Sequence, residues 1–221
     1  MKQWGVDYFL ASHKAFSSIS PISIENALPL ISLLRYKRGE SIFDEGAPAQ
    51  AVYLLRSGLI KAAKYSPNSD LAAMEIITPG QMFGMIAVMD KKNYPVSASS
   101  LQDSEVYRIP ERVFSEFLEK YPAFSKEVYS SIGSHLRHAQ TLRALSKEPI
   151  ERRIAGVLAL LSESMGKNMT LRRQDIAELA ACTPETAMRT LADFKKNKII
   201  SSAWKRVTIL DSERLNKIAS F

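Results

Sequence analysis

The chain has 221 residues, 46% hydrophobic and 24% charged, so at about 150 residues per domain it makes one large or two small domains of ordinary globular composition. Its apolar runs, the longest being Met82 to Met89 and Ile154 to Leu161, fall short of the ~18–20 residues of a membrane span. Asp7 and His13 interrupt the N-terminal apolar stretch, and the single cysteine, Cys182, can form no internal disulfide; a soluble, cytoplasmic protein without a signal peptide is expected.

The net charge of +7 is unevenly placed. Residues 1–146 hold 16 basic and 14 acidic side chains, whereas residues 147–221 hold 14 and 9. A basic part joined to a near-neutral part points to two different ligands, with a polyanion for the basic one. A solvated lysine-rich surface is the alternative.

Residues 1–35 are broken by Pro21 and Pro29 and predict one or two short helices. From Tyr36 to Pro110 the texture changes to short apolar runs at Ser41–Phe43, Val52–Leu55, Leu59–Lys64, Met74–Ile77 and Glu105–Ile109. Turn residues separate them, including Glu45-Gly46-Ala47-Pro48, Ser57-Gly58, Pro67-Asn68-Ser69-Asp70 and Pro79-Gly80. Short strands at regular spacing predict an antiparallel sandwich or barrel.

Beyond Pro110 the period lengthens to that of helices. Val113, Phe114, Phe117 and Leu118 predict a short helix ending near Tyr121-Pro122. Phe124 to Ser146 then carries Val128, Ile132, Leu136, Ala139, Leu142 and Leu145 at steps of four, four, three, three and three, which predicts one stripe on a long helix. Such a stripe needs a cover, either a packed loop or, as the length favours, a second subunit. Lys147-Glu148-Pro149 reads as a hinge, since proline ends or kinks a helix at the residue before it. Ile154 to Leu161 reads as the core helix of a second small domain.

Residues 173–196 are the most specific stretch. Gln174 to Ala180 form a short helix, Ala181-Cys182 a turn, and Thr183-Pro184-Glu185-Thr186 a helix start. Thr183 supplies a capping oxygen, Pro184 suits the first helical position, and Glu185 complements the positive dipole end. Ala187, Leu191 and Phe194 face inward, leaving Glu185, Thr186, Met188, Arg189, Lys195 and Lys196 outward. This is a helix-turn-helix pattern, whose second helix enters the major groove with its N-terminal side chains at base edges. Ile199 to Leu210 then reads as a two-stranded wing with Lys205 and Arg206 near its tip.

Over about residues 30–215 the chain resembles transcription regulators of the cyclic-AMP receptor protein/FNR family. The resemblance rests on ordered landmarks: Tyr36 to Phe43 with Glu45-Gly46, Ser57 to Lys61, Pro79 to Gly84, Ser104 to Pro110, and the helix-turn-helix. It implies an α+β chain in three parts. These are an effector-sensing β-roll (jelly roll) of the cyclic-nucleotide-binding type with N-terminal helices over 1–121, a long dimerisation helix and hinge over 122–148, and a winged helix-turn-helix over 149–221. It further implies a homodimer on palindromic double-stranded DNA, with Val128, Ile132, Leu136, Ala139 and Leu142 on the dimer helix and RNA polymerase as partner of an activator. Glu185 and Arg189 match the family's base-reading positions, and Arg173, Gln174, Thr183 and Thr186 its phosphate-contacting or helix-orienting ones. Lys195, Lys205 and Arg206 complete the expected DNA surface. Three residues depart from the pattern: Pro184 and Met188, which bear on the outer bases of the half-site, and Ala181, where glycine is common.

The sensor end departs further. Cyclic-AMP binders of the family carry a glutamate after Phe-Gly and an Arg-Ser pair for the cyclic phosphate. Here Met85 follows Phe83-Gly84, and Tyr94-Pro95 stand in place of Arg-Ser. Burying a phosphate without its cation costs roughly 3–5 kcal/mol, about 10²–10³ in affinity, so the expected effector is not a cyclic nucleotide. A small or medium apolar molecule held around Met82, Phe83, Met85, Tyr94 and Pro95 is expected, in a barrel also carrying Met74 and Met89. One cysteine cannot hold an iron–sulfur cluster. His13, His135 and His138 lie outside the barrel segment, against a haem sensor, and as a redox switch Cys182 competes with a buried turn residue. A cupin-like metal enzyme is the rival from another class, but it needs converging histidines, and none occurs between Tyr36 and Pro110. A cyclic-nucleotide-gated kinase or channel subunit would lack the helix-turn-helix.

Overall fold

The computed structural model describes residues 8–65 and 71–219; the expected turn Pro67-Asn68-Ser69-Asp70 and the side chain of Met74 lie outside the described residues. Two short helices, α1 (Tyr8–Ser12) and α2 (Pro21–Ala27), open the chain. Ser20 caps α2, its hydroxyl accepting from the Ser23 N–H, and Pro21 occupies the first turn, where no N–H is needed.

The strands β1 (Ser32–Tyr36), β2 (Ser41–Phe43), β3 (Ala51–Ser57), β4 (Ile60–Tyr65), β5 (Leu71–Ile77), β6 (Met82–Phe83), β7 (Ser97–Ser100) and β8 (Ser104–Pro110) follow, with a one-turn helix α3 (Met85–Met89) after β6. They form two four-stranded antiparallel sheets, ordered β1-β8-β3-β6 and β2-β7-β4-β5. Strand β3 is buried on both faces, which explains its unbroken apolar run. Val52 and Leu54 face the helices with Met82, Tyr107 and Ile109. Ala51, Tyr53 and Leu55 face the opposite sheet with Phe43, Ile60, Ile77, Phe83 and Val106. Three strands of these two sheets were not legible in the sequence. β1 follows proline-broken helices, β6 is two residues long, and β7 is a serine-rich strand whose Ala98 alone is apolar.

After β8 come α4 (Glu111–Lys120) and α5 (Pro122–Leu145). Phe124 packs edge-to-face on Phe16, Phe114 and Phe117, with ring centroids 5.5, 5.8 and 5.8 Å away. The predicted stripe on α5 divides. Val128 is fully buried in the chain's own core and has no surface left for a second chain, so it is removed from the dimer-facing set. Ile132 is half-buried against the same core. Leu136, at about 100° per residue some 80° around the helix from Val128, is 59% exposed, as is Tyr129 at 60%. Ala139 is half-buried and Leu142 buried.

The chain divides into two compact units within α5, residues 1–137 and 138–221. The second contains α6 (Ile150–Met165), β9 (Asn168–Met169), α7 (Arg173–Leu179), α8 (Pro184–Lys196), β10 (Ile200–Ala203), β11 (Arg206–Ile209) and α9 (Ser212–Ala219). Its sheet runs β10-β11-β9. Ile154, Leu158, Ile176, Leu191, Phe194 and Val207 are buried in this unit. Pro149 directly precedes α6, and Gly156 lets the end of α5 approach: a Cβ there would lie 2.4 Å from a methyl of Leu145. Among the described residues no helix is long and apolar enough to cross a membrane.

Candidate nucleic-acid interface and effector pocket

Helix α7 stops at a turn closed by two reverse hydrogen bonds, from Cys182 N–H to the Ala177 carbonyl at 2.9 Å and from Ala181 N–H to the Glu178 carbonyl at 3.2 Å. This geometry places one residue in the left-handed region, and Ala181 takes it at φ 49°. The alanine carries strain that glycine would not. Arg153 braces the turn by donating to the Ala181 carbonyl at 3.3 Å. At the other end of α7 the buried Asp175 carboxylate accepts from Arg172 N–H at 2.7 Å, fixing the helix start.

Helix α8 begins as its sequence dictates. The Thr183 hydroxyl accepts from Thr186 N–H at 3.2 Å, and Pro184 and Glu185 fill the first turn. Ala187, Leu191 and Phe194 are buried beneath it, so that Glu185 and Arg189, one turn apart, are exposed along the outer face. Met188 is 46% exposed on that face, with the Arg173 guanidinium 3.5 Å from its sulfur. Gln174 and Thr183 are exposed and Thr186 is half-buried. Lys195 and Lys196 lie in the last turn, favoured by the negative dipole end. Lys195 also donates to the Ser202 carbonyl on β10 at 3.4 Å, tying the helix to the hairpin.

That hairpin is β10–β11, in which Ala203 pairs with Arg206 around the two-residue turn Trp204-Lys205. Lys205, the second central residue, has φ 55°, the left-handed region that type II turns use at that position. Its ammonium sits 3.8 Å from the Trp204 ring centroid. Trp204, 84% exposed, projects at the tip beside Lys205 and Arg206. Sequence reading passed over it as part of a polar segment; an indole between turn-forming positions and two cations was the available signal. Cys182 is half-buried, and burial raises its thiol pKa, which disfavours the reactive thiolate.

In the first unit a cavity of about 220 Å³ opens beside α3. Phe83, Met85, Tyr94 and Pro95 line it, together with Phe43, Ile132, Glu75 and His135. Met82 does not. Successive residues of a strand point to opposite faces, so while Phe83 enters the inter-sheet core, Met82 packs toward the helices. Gly84, at φ 80°, turns the chain into α3, where a Cβ would crowd the Tyr94 ring at 3.2 Å. Tyr94 stacks on Phe43 with centroids 3.8 Å apart and donates its hydroxyl to the Ala51 carbonyl at 2.6 Å. Burial pushes its pKa far up, which keeps the phenol neutral. Among the described residues no lysine or arginine lines the cavity. His135 was assigned outside the barrel; it lies on α5 as expected, but its ring reaches the cavity and pairs with Glu75 of β5. Among the described residues no three His, Cys, Asp or Glu side chains converge as a metal site would need.

A β-roll carrying a pocket, in one chain with a winged helix-turn-helix, defines a DNA-binding transcription regulator. Residues 33–121 match the cyclic nucleotide-binding domain, and residues 152–218 match the Crp-like helix-turn-helix domain. The chain belongs to the CRP/FNR family. It is 25% identical to a CRP-like cAMP-activated global transcriptional regulator of Mycobacterium tuberculosis, across 97% of this chain and all of the relative. It is 29% identical to the transcriptional activator Anr of Pseudomonas aeruginosa, across 83% of this chain and 78% of the relative. Among solved structures, FixK2 of Bradyrhizobium japonicum aligns with a TM-score of 0.73 at 20% identity, covering 86% of this chain and 98% of that one. A CRP-family regulator of Thermus thermophilus aligns at 0.64 and 25% identity, over 84% and 96% of the two chains.

Proposed function

We propose that this regulator works as a cytoplasmic homodimer, binds a palindromic operator, and responds to a small effector in the β-roll that is not a cyclic nucleotide. The observation that carries the effector reading is a cavity lined by aromatic, aliphatic and methionine side chains and a His–Glu pair, with no lysine or arginine for a cyclic phosphate among the described residues. At about 220 Å³ it also suits a small molecule better than a haem macrocycle, since an apolar cavity of roughly 150 Å³ accommodates one benzene ring.

On the DNA side, Arg189 donates two hydrogen bonds to guanine O6 and N7, and Glu185 accepts from cytosine N4. Arg173, Gln174, Thr183 and Thr186 contact phosphates or orient the helix, and Lys195, Lys205 and Arg206 complete the DNA surface. The half-site centres lie about 10–10.5 bp apart, and Leu136 with Tyr129 supplies the exposed part of the dimer seam. Where the output is activation, RNA polymerase is the protein partner. A mobility-shift titration with the protein's own upstream DNA, alongside native mass spectrometry of the purified protein, tests both halves. Binding to that DNA no tighter than to random duplex overturns the operator reading, and a co-purifying cyclic nucleotide overturns the effector reading.

A further inference from the structure

The pocket in the β-roll is apolar except at one place. His135 is 9% exposed, and its Nδ1 lies against Oε1 of Glu75. A ring nitrogen against a carboxylate oxygen carries its proton, because two lone pairs would repel there. That leaves Nε2 as the nitrogen available for other contacts, and it is buried without a hydrogen-bond partner among the described residues. A buried polar atom left without a partner costs free energy that a ligand can recover. Of the other polar side chains in the lining, Tyr94 has its hydroxyl engaged by the Ala51 carbonyl and Glu75 is paired with His135 itself. Nε2 is therefore an unpartnered polar anchor for whatever enters beside Phe43 and Phe83.

We infer that the pocket takes a small, uncharged ring compound whose hydroxyl or N–H donates a hydrogen bond to His135 Nε2. The inference rests on the effector reading above and specifies its chemistry. Three observations carry it. The volume of about 220 Å³ holds one ring and a substituent. The stacked Phe43–Tyr94 pair and Phe83 offer flat apolar surface to a ring. A charged ligand would bury its charge in a largely apolar cavity, and an anion would meet no lysine or arginine there among the described residues. Because His135 lies on α5 and Glu75 on β5, a ligand on Nε2 contacts a helix–sheet pairing directly, and differential contacts of this kind are what a switch requires.

The test uses the full-length protein and four probes built on one ring: benzamide, benzyl alcohol, toluene and benzoate, followed by saturation-transfer NMR and calorimetry. Benzamide and benzyl alcohol should bind about tenfold more tightly than toluene, and benzoate about a hundredfold more weakly than benzamide. His135→Leu should erase the preference over toluene while toluene still binds, which also shows that the variant folds. His135→Gln, keeping a hydrogen-bonding group, should retain part of the preference. Benzoate binding as tightly as benzamide, a preference that survives His135→Leu, or no binding of any neutral ring at millimolar concentration would each overturn the inference. Val96→Trp, which fills the cavity from a half-buried position in its lining, separates the two levels. Loss of all probe binding in that variant places the probes in the pocket, and unchanged binding overturns the effector reading itself. Operator binding by the same samples scores the DNA reading independently.

Discussion

The recognition helix and the effector pocket solve opposite problems. On α8 the functional side chains point outward, and the buried Ala187, Leu191 and Phe194 exist to hold them there. In the pocket the functional side chains point inward, and they come from β2, β5, β6, the segment after α3, and α5. The DNA surface is therefore robust locally and sensitive to whatever supports one helix. The pocket is sensitive to any of several distant segments, and its polar pair joins two of them. Reading DNA needs a rigid, exposed row of side chains, whereas responding to a ligand needs contacts that can differ between two arrangements.

The largest expected effect attacks the support of the helix. Phe194→Ala empties a fully buried site beneath α8 and should destabilise the DNA-binding unit by about 3–5 kcal/mol. Thermal denaturation should show it as a lowered midpoint; a cost near zero would mean that α8 is not held by this core. Next is Arg189→Ala, which should cost about 1–3 kcal/mol per half-site on the operator and relax specificity at a single G·C pair. Equal losses on operator and random DNA would remove Arg189 from base reading. Lys195→Ala, by contrast, should weaken all sequences alike.

Ala181→Gly should act in the stabilising direction. Relief of a left-handed alanine is worth about 1–2 kcal/mol, offset by roughly 0.5–1 kcal/mol for the freer unfolded chain, so a net gain between zero and about 1.5 kcal/mol is expected at this exposed residue. A lowered melting midpoint would contradict the strain at the turn.

In the sensor unit, burial holds the His13 pKa below its ordinary 6.5. Its ring nitrogens accordingly suit the neutral form, one bonded to the Gly80 carbonyl at 2.8 Å and the other accepting from Ala15 N–H at 3.3 Å. The unfolded chain takes up the proton first, so this contribution to stability is complete above about pH 6.5 and is lost as the pH falls below it. His13→Gln should flatten that part of the stability profile, and an unchanged profile would show that His13 does not cause it. The smallest expected effect is none: cyclic AMP or cyclic GMP at millimolar concentration should give no heat in calorimetry and no change in operator affinity. Micromolar binding would direct attention to Lys64, whose ammonium reaches the Pro95 carbonyl at 3.4 Å and pairs with Glu45 at 2.8 Å, and then to Arg56 and Lys61.

The DNA-binding half was legible in the residues because its determinants are local. Thr183 caps, Pro184 starts and Leu191 anchors a helix over only a dozen positions, and period and capping chemistry operate at that range. The strands with strong apolar patterns were legible for the same reason. The long helix marks the boundary: its spacing predicted one stripe, but a helix carries no record of what covers each turn. Only tertiary structure decided that Val128 belongs to the core while Leu136 stays exposed. The pleat of a two-residue strand likewise sent Met82 away from the pocket and Phe83 into it. Glu75 and His135 stand sixty residues apart, joined by folding alone. Sequence by itself determined most of the elements and the helix-turn-helix. The chemistry of the pocket was decided by which distant side chains the sheets and α5 bring to one cavity.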